Sequence, residues 1–180
     1  HKIRKIVIST GVVTTLAGSG SRGSSDGTGT SASFAYPIGL TIDGTNLYVA
    51  DRNNNRIRKI VISTGVVTTL AGSSQGSADG TGTSAQFSIP WGITNDGTNL
   101  YVTDQGSHRI RKIVISTGVV TTLAGSSSGN TDGTGTSASF KKPSDITSDG
   151  TNLYVADYSN HRIRKIDLTK TVTADVALHN

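Results

Sequence analysis

Residues 37–72 read PIGLTIDGTNLYVADRNNNRIRKIVISTGVVTTLAG, and this stretch decides the fold. It contains four short runs rich in Val, Ile, Thr and Tyr, which are residues that favour β-strands. Turn residues separate the runs: Asp43-Gly44 after the first, Asn53 and its neighbours after the second, and Gly65 after the third. The stretch therefore predicts four consecutive antiparallel strands joined by short connections.

The same pattern repeats along the whole chain. Arg56–Ser73 and Arg109–Ser126 are identical in sequence, and Lys2–Ser19 differs from them only at its first residue. Successive copies are spaced by 54, 53 and 53 residues, counted from His1, Asn55, His108 and His161. A period of this length with four strands in each copy is typical of propeller blades rather than of leucine-rich or helical repeats.

The composition also indicates an all-β protein and narrows its chemistry. The 180 residues include 22 glycines, and all twelve acidic residues are aspartates. Cysteine is absent, which excludes disulfides and thiolate metal sites. The net charge of +5 favours acidic partners such as nucleic acid or acidic glycans. No apolar stretch is long enough to cross a membrane, so we expect no membrane insertion.

The pattern P-x-G-I-T-x-D-G-x-N-L-Y-V-A-D-x-x-N-H-R-I-R-K resembles an NHL repeat. Asn160-His161-Arg162 matches the region that names this family, and Asn54-Asn55-Arg56 and Ser107-His108-Arg109 are its divergent counterparts. The resemblance covers essentially the whole chain and implies a β-propeller of four-stranded antiparallel blades. NHL-like propellers usually close with six blades, so the resemblance implies a ring completed by further copies or by oligomerisation.

We predict one NHL propeller segment over residues 1–180, made of half a blade and three full blades. The half blade is expected at 1–19 and the full blades at 37–72, 90–125 and 143–178. Gly39 is expected to permit close approach of strands near the propeller axis. The C-terminal copy diverges from the others, so we expect it to end the array, whereas the N-terminal copy resembles an internal one.

Residues that recur once per blade are expected to stabilise the blade, and nine aspartates recur in this way. One set opens the D-G-T-N turn between the first two strands: Asp43, Asp96 and Asp149. A second set ends the second strand and is expected to accept hydrogen bonds from nearby backbone N–H groups: Asp51, Asp104 and Asp157. The third set opens the D-G-T-G loop: Asp26, Asp79 and Asp132.

No residue pattern predicts a catalytic centre, a metal site or a cofactor. Three of the four histidines occupy one repeat position, where Asn55 also stands, so a turn or packing role is expected there. The basic residues also recur, as in Arg58 and Lys59. Their stems are expected to pack between blades while the charged heads reach solvent.

Positions that differ between blades are the candidate binding residues. Around the P-x-G motif the three copies read AYPIG, SIPWG and KKPSD. These positions begin the innermost strands, beside the axial channel and one face, where propellers commonly hold ligands. We therefore select Trp91, Lys142 and Asp145.

The leading functional hypothesis is a non-catalytic binding or structural segment of a secreted or surface-exposed bacterial protein. Its partners would be proteins, glycans or further copies of the chain. One alternative is an RNA-binding propeller, because some NHL domains bind RNA and the Arg and Lys residues recur. A second alternative is an enzyme that resembles propeller lyases or lactonases, which needs a metal held by His or acidic residues from several blades.

Overall fold

The computed structural model describes residues 1–169, which form β-strands and single 3-10 turns. The strands in this range are β1 (Ile3–Ile6), β2 (Val13–Ala17), β3 (Gly27–Thr28), β4 (Pro37–Ile42), β5 (Asn46–Asp51), β6 (Arg56–Val61), β7 (Val66–Ala71), β8 (Gly80–Thr81), β9 (Pro90–Asn95), β10 (Asn99–Asp104), β11 (Arg109–Val114), β12 (Val119–Ala124), β13 (Pro143–Ser148), β14 (Asn152–Asp157) and β15 (Arg162–Asp167). Three-residue 3-10 turns lie between them at Gly29–Ser31, Arg52–Asn54, Gly82–Ser84, Gln105–Ser107, Gly135–Ser137 and Tyr158–Asn160. Residues 1–169 contain no helix with the length and apolar character that a membrane crossing requires.

The strands form successive antiparallel sheets, which confirms the prediction of an all-β propeller fold with four-stranded antiparallel blades. The two blades that are described in full have the strand orders β3-β7-β6-β5-β4 and β8-β12-β11-β10-β9. Each therefore carries a fifth strand of two residues that the sequence did not predict. β3 pairs with the outer strand β7, and β8 pairs with β12. The segment that enters each blade thus runs along its outer edge before it reaches the centre.

The two ends of the chain contain smaller sheets. β1 and β2 form a two-stranded sheet within residues 1–19, and β13, β14 and β15 form a three-stranded sheet. The fourth strand expected in the blade at 143–178 falls mainly on residues 170–178, which lie outside the described residues.

The hydrophobic core lies between neighbouring sheets. Ile57 and Ala71 belong to the cluster between the second and third sheets, together with Phe87. Ile60 and Val67 belong instead to the cluster shared with the N-terminal half blade. A β-bulge between Ile57 and Arg58 shifts the β6–β7 register. The pair Ile57–Ala71 therefore faces the following blade, whereas the pair Ile60–Val67 faces the N-terminal half blade.

The innermost strands β4, β9 and β13 lie side by side, and glycine permits their close approach as expected. A Cβ atom on Gly39 would overlap the backbone carbonyl oxygen of Trp91. A Cβ atom on Gly92 would lie 2.8 Å from the Cα atom of Asp145. The backbones of successive blades thus meet at these glycines.

Candidate functional site

One face of the molecule carries the starts of the innermost strands and the 3-10 turns that follow the second strands. Backbone hydrogen bonds join these segments within each blade, as from Asn53 N–H to the Ala35 carbonyl and from Ser159 N–H to the Lys141 carbonyl. We call this surface the loop face, and it comprises residues 35–38, 52–55, 88–91, 105–108, 141–144 and 158–161.

Two positions per blade on the loop face have left-handed backbone conformations. Asn55, His108 and His161 follow the 3-10 turns with φ of 53°, 61° and 55°. Tyr36, Ile89 and Lys142 precede the innermost strands with φ of 55°, 59° and 52°. Non-glycine residues seldom adopt this conformation, so specific contacts must hold it.

Hydrogen bonds between blades join these two positions. The Nδ1 atom of His1 accepts from Tyr36 N–H at 3.1 Å, and His108 Nδ1 accepts from Lys142 N–H at 3.1 Å. Asn55 Oδ1 accepts from Ile89 N–H at 3.0 Å in the same way. Asparagine can replace histidine at this position because each offers an acceptor at the same distance from the backbone. These side chains therefore link neighbouring blades, which agrees with the turn or packing role expected of this position.

Burial lowers the pKa of His108, and the nearby charge of Lys142 lowers it further. Asp157 acts in the opposite direction, and Lys141 adds to the lowering. The neutral ring is the form that accepts the hydrogen bond from Lys142, so the environment favours the form that links the blades.

Each blade buries an arginine between two aspartates. The Arg58 side chain is fully buried, with ion pairs of 2.9 Å to Asp51 and 2.6 Å to Asp26. Arg111 repeats this arrangement with Asp104 at 3.2 Å and Asp79 at 2.8 Å. The expectation that these charged heads reach solvent is therefore wrong for Arg58 and Arg111. The RNA-binding alternative depends on exposed positive charges that recur from blade to blade. Arg58 and Arg111 cannot contribute to such a surface because they are buried.

The aspartates at the end of the second strands accept from a backbone N–H that is distant in sequence, rather than from the nearby backbone N–H groups expected, and their local contacts are to side chains. Asp51 Oδ1 accepts from the N–H of Ala35, sixteen residues earlier, at 2.8 Å. Its other oxygen accepts from Asn54 and Arg58. Equivalent backbone bonds reach Asp104 from Ser88 and Asp157 from Lys141. Burial raises the pKa of Asp104 to about 6, against the opposing hydrogen bonds and the Arg111 charge.

The D-G-T-N aspartates cap the turns that they open. Asp43 Oδ1 accepts from the backbone N–H groups of Thr45 and Asn46 at 2.9 and 2.7 Å, and its Oδ2 accepts from the Tyr48 hydroxyl at 2.8 Å. Burial raises the pKa of Asp43, but these hydrogen bonds outweigh it and hold the pKa well below its usual range. Asp96 and Asp149 make the same bonds in their blades.

The three selected binding residues lie around the starts of two neighbouring innermost strands. Trp91 lies on β9 and is half-buried. Lys142, which precedes β13, and Asp145, which lies on β13, are both exposed. Asp145 lies beside Gly92 and accepts a hydrogen bond from Ile146 N–H at 2.9 Å. Within residues 1–169, the three side chains make no hydrogen bond or ion pair with one another.

Arg52 is a loop-face residue that the sequence reasoning missed. Its guanidinium group lies 4.7 Å from the centre of the Trp91 ring, which is a cation–π contact between blades. The position after the strand-ending aspartate differs in every blade, as Arg52, Gln105 and Tyr158, and this variation was the available signal. Tyr158 is 67% exposed. Tyr36 is 51% exposed, and its ring packs perpendicular to that of His1, with 4.9 Å between the ring centres.

The described residues contain no group of three His or Asp side chains arranged to hold a metal ion. The recurring Asp side chains and those of His1 and His108 instead make contacts within and between blades. The loop face can therefore offer aromatic rings and cationic groups to a partner, and the exposed carboxylate of Asp145 lies next to it.

Comparison with known proteins supports this architecture. The NHL repeat model matches residues 34–60 and 140–166. Human NHL repeat-containing protein 2 is 35% identical over 161 residues, which covers 79% of this chain. The matched region is 22% of the human protein, so the chain spans about a fifth of this relative.

Two solved structures from Bacteroides have similar folds. A structural genomics protein from Bacteroides thetaiotaomicron superposes with a TM-score of 0.75 at 28% identity. An auxiliary nutrient binding protein from Bacteroides ovatus superposes with a TM-score of 0.70 at 26% identity. The matches cover 92% and 91% of this chain, but 42% of each of the other chains.

Proposed function

Because the chain is an array of NHL repeats, we propose that it is a non-catalytic binding segment whose loop face contacts a protein or a glycan. The observation that carries this proposal is the division between recurring and variable residues. The recurring Asp, Arg, His and Asn side chains hold the blades, as Asp51, Arg58 and His108 do. The variable side chains are left to face a partner.

The chemistry of the loop face suits this role. Trp91 and Arg52 form a stacked pair that spans two blades, and Tyr36 and Tyr158 expose further aromatic rings. Aromatic and arginine side chains supply most of the binding energy in protein interfaces. Aromatic side chains also combine a large apolar surface with limited flexibility. The Bacteroides ovatus relative is described as a nutrient binding protein, which is consistent with a binding role for this architecture.

The proposal also places the segment in a secreted or surface-exposed bacterial protein. An array of polar, glycine-rich loops around a rigid scaffold is suited to contacts with external macromolecules. The net charge of +5 would favour acidic partners among them.

Trp91 provides the test, because it is the single tryptophan of the chain and lies on the loop face. Soluble neutral and acidic polysaccharides and a displayed peptide library are screened for retention, and each retained ligand is titrated against intrinsic fluorescence. We expect a saturable change in Trp91 emission that Arg52→Ala weakens. Lys165→Ala, which removes an exposed charge on β15 away from the loop face, serves as the control.

Two outcomes would contradict the proposal. One is that no ligand of either class is retained. The other is that retained ligands bind with unchanged Trp91 emission and equal affinity for the wild type and Arg52→Ala. Binding would then be located elsewhere on the molecule.

A further inference from the structure

The contacts of Arg52 differ from those of the buried arginines. The guanidinium group of Arg58 forms ion pairs with two aspartates, whereas within residues 1–169 that of Arg52 makes no ion pair and no hydrogen bond. The Nε atom of Arg52 is buried without a partner, and its Nη atoms remain open to solvent. Its Cζ atom lies 4.7 Å from the centre of the Trp91 ring on the next blade. Arg52 is therefore a positive charge that is held in place but not neutralised.

The contact with Trp91 decides which chemistry suits Arg52. A guanidinium group placed over an aromatic ring keeps its N–H donors in its own plane, so they stay available at its edge. A carboxylate accepts from two of these donors at once, and such paired hydrogen bonds are strong and directional. Because Trp91 limits the movement of the group, little further ordering is needed when a carboxylate binds. The pair is thus prepared for a carboxylate of a ligand.

The charges around this pair favour an anion. Asp51, the neighbour of Arg52 in sequence, is fully buried and already forms an ion pair with Arg58. Lys141 and Lys142 add exposed positive charges to the loop face of the last described blade. A ligand with several separated negative charges could contact these groups and Arg52 together.

An exposed acceptor lies beside the pair. Gly92 follows Trp91, and a Cβ atom on Gly92 would lie 3.0 Å from Oδ1 of Asp145. Among the described residues, the Asp145 side chain accepts one hydrogen bond, from the N–H of Ile146 at 2.9 Å. A carboxylate has about four acceptor positions, so further donors can bind there. A ligand that carries hydroxyl groups beside its own carboxylate suits both Arg52 and Asp145.

Given the binding role proposed above, we propose that Arg52 and Trp91 form a subsite for a uronic acid unit of an acidic polysaccharide. Arg52 donates to the sugar carboxylate, and hydroxyl groups of the sugar donate to Asp145. A sugar ring holds these groups in a fixed relation, which lowers the entropy lost on binding. An acidic peptide carries its carboxylates on flexible side chains instead and loses more.

A nucleic acid fits this surface less well than an acidic polysaccharide does. Proteins that bind single strands stack the bases on open aromatic faces. Arg52 covers one face of Trp91, and that side chain is half-buried. The accessible edge of the guanidinium group, rather than the face of the indole ring, is therefore the part that a ligand meets.

The test compares acidic polysaccharides with their uncharged forms. Polygalacturonate, alginate and hyaluronate, which carry carboxylates on different sugars, are titrated into the full chain by isothermal titration calorimetry, each beside its methyl ester. The ester keeps the hydroxyl groups and lacks the charge. We expect at least one acidic polymer to change Trp91 emission and to bind at least about tenfold more tightly than its ester, because the ester cannot form the charged hydrogen bonds.

Arg52→Gln should weaken binding of that polymer by at least about tenfold. It should leave the affinity for the ester within about twofold, because both changes remove the same interaction. Lys165→Gln, which removes an exposed charge on β15 away from the loop face, is the matched control and is expected to bind as the wild type does.

Absence of saturable binding by all three acidic polymers up to about 1 mM would overturn the subsite. Equal affinity for an acidic polymer and its ester, or equal binding by the wild type and Arg52→Gln, would overturn it as well. Tighter binding of oligouridylate or oligoglutamate at the same ionic strength would reassign the pair to a nucleic acid or to an acidic peptide. In each case a peptide or neutral polysaccharide retained in the screen can still change Trp91 emission, so failure of the subsite is distinguishable from failure of the binding role.

Discussion

The buried arginines show how single residues hold this repeat together. Arg58 donates from Nη1 to Asp51 and the Ser33 carbonyl, and from Nη2 to Asp26 and the Ser25 carbonyl. Ser25, Asp26 and Ser33 lie in the segment that enters the blade, whereas Asp51 ends its second strand. One guanidinium group therefore joins three parts of the chain, and its planar fork suits several acceptors at once.

Replacement of this arginine should destabilise the protein strongly. Arg58→Gln leaves the buried Asp51 carboxylate without its ion pair, and we expect a loss of about 3–5 kcal/mol in the free energy of unfolding. Arg4→Gln is the matched control at the same repeat position, where the side chain is exposed, and it should cost less than about 1 kcal/mol. Urea denaturation of both variants measures the difference, and equal losses would contradict the role assigned to Arg58.

The histidine that links two blades should make stability depend on pH. The folded state lowers the pKa of His108, so the unfolded chain takes up a proton at a higher pH than the folded protein does. The contribution of His108 is thus complete above its unfolded pKa of about 6.5 and is lost as the pH falls through the lower folded value.

His108→Asn isolates this effect, because Asn55 already makes the same link at 3.0 Å without a titrating group. We expect the free energy of unfolding to fall less steeply between about pH 7 and 5 in this variant than in the wild type. Asp104, whose pKa is raised to about 6, titrates in the same range with the opposite sign but is present in both proteins. Parallel pH profiles would show that His108 does not link the blades as its neutral form.

At the scale of strands, the contact between successive innermost strands depends on a backbone position without a side chain. A Cβ atom at Gly92 would approach both the Cα and the carboxylate of Asp145, at 2.8 and 3.0 Å. Gly92→Ala should therefore cost about 1–3 kcal/mol through overpacking. Asp145→Ala, at the same repeat position in the next blade, should change stability by no more than about 0.5 kcal/mol because that side chain is exposed. Thermal unfolding compares the two variants, and a larger loss in Asp145→Ala would refute this packing.

The strands of the blade could be predicted from the sequence because each follows a recurring run bounded by turn residues, as Asn46–Asp51 does between Asp43-Gly44 and Arg52. The fifth strands could not, because Gly27–Thr28 is too short to show a periodicity and begins with a poor strand former. Burial of Arg58 was also missed, because arginine is usually exposed and Asp26 lies 32 residues away in sequence.

The candidate site was predicted only in part, because one of its contacts joins two blades. Variation between copies identified Trp91, Lys142 and Asp145, since a repeated scaffold makes unequal positions conspicuous. Arg52 lies on the preceding blade, and its contact with Trp91 depends on how two blades stack. The pattern within one repeat does not specify how two blades stack. The variation among Arg52, Gln105 and Tyr158 at one repeat position nevertheless marked that position as a candidate for binding.

For the molecule as a whole, the repeat divides two tasks between two sets of residues. The recurring residues form the apolar clusters and the ion pairs that join one blade to the next. The variable residues gather on the loop face, where no recurring contact requires them. Surface side chains can then vary between blades without loss of the stacking.

The most direct test of this division is the affinity of a loop-face variant for a ligand retained in the polysaccharide or peptide screen. The variant combines Tyr36→Ala, Arg52→Ala, Trp91→Ala and Tyr158→Ala, and its circular dichroism and melting temperature are recorded beside the binding isotherm. We predict a protein that keeps its β-sheet spectrum and cooperative unfolding but binds the ligand at least about a hundredfold more weakly than the wild type does. A variant that stays folded and binds with wild-type affinity would contradict the account.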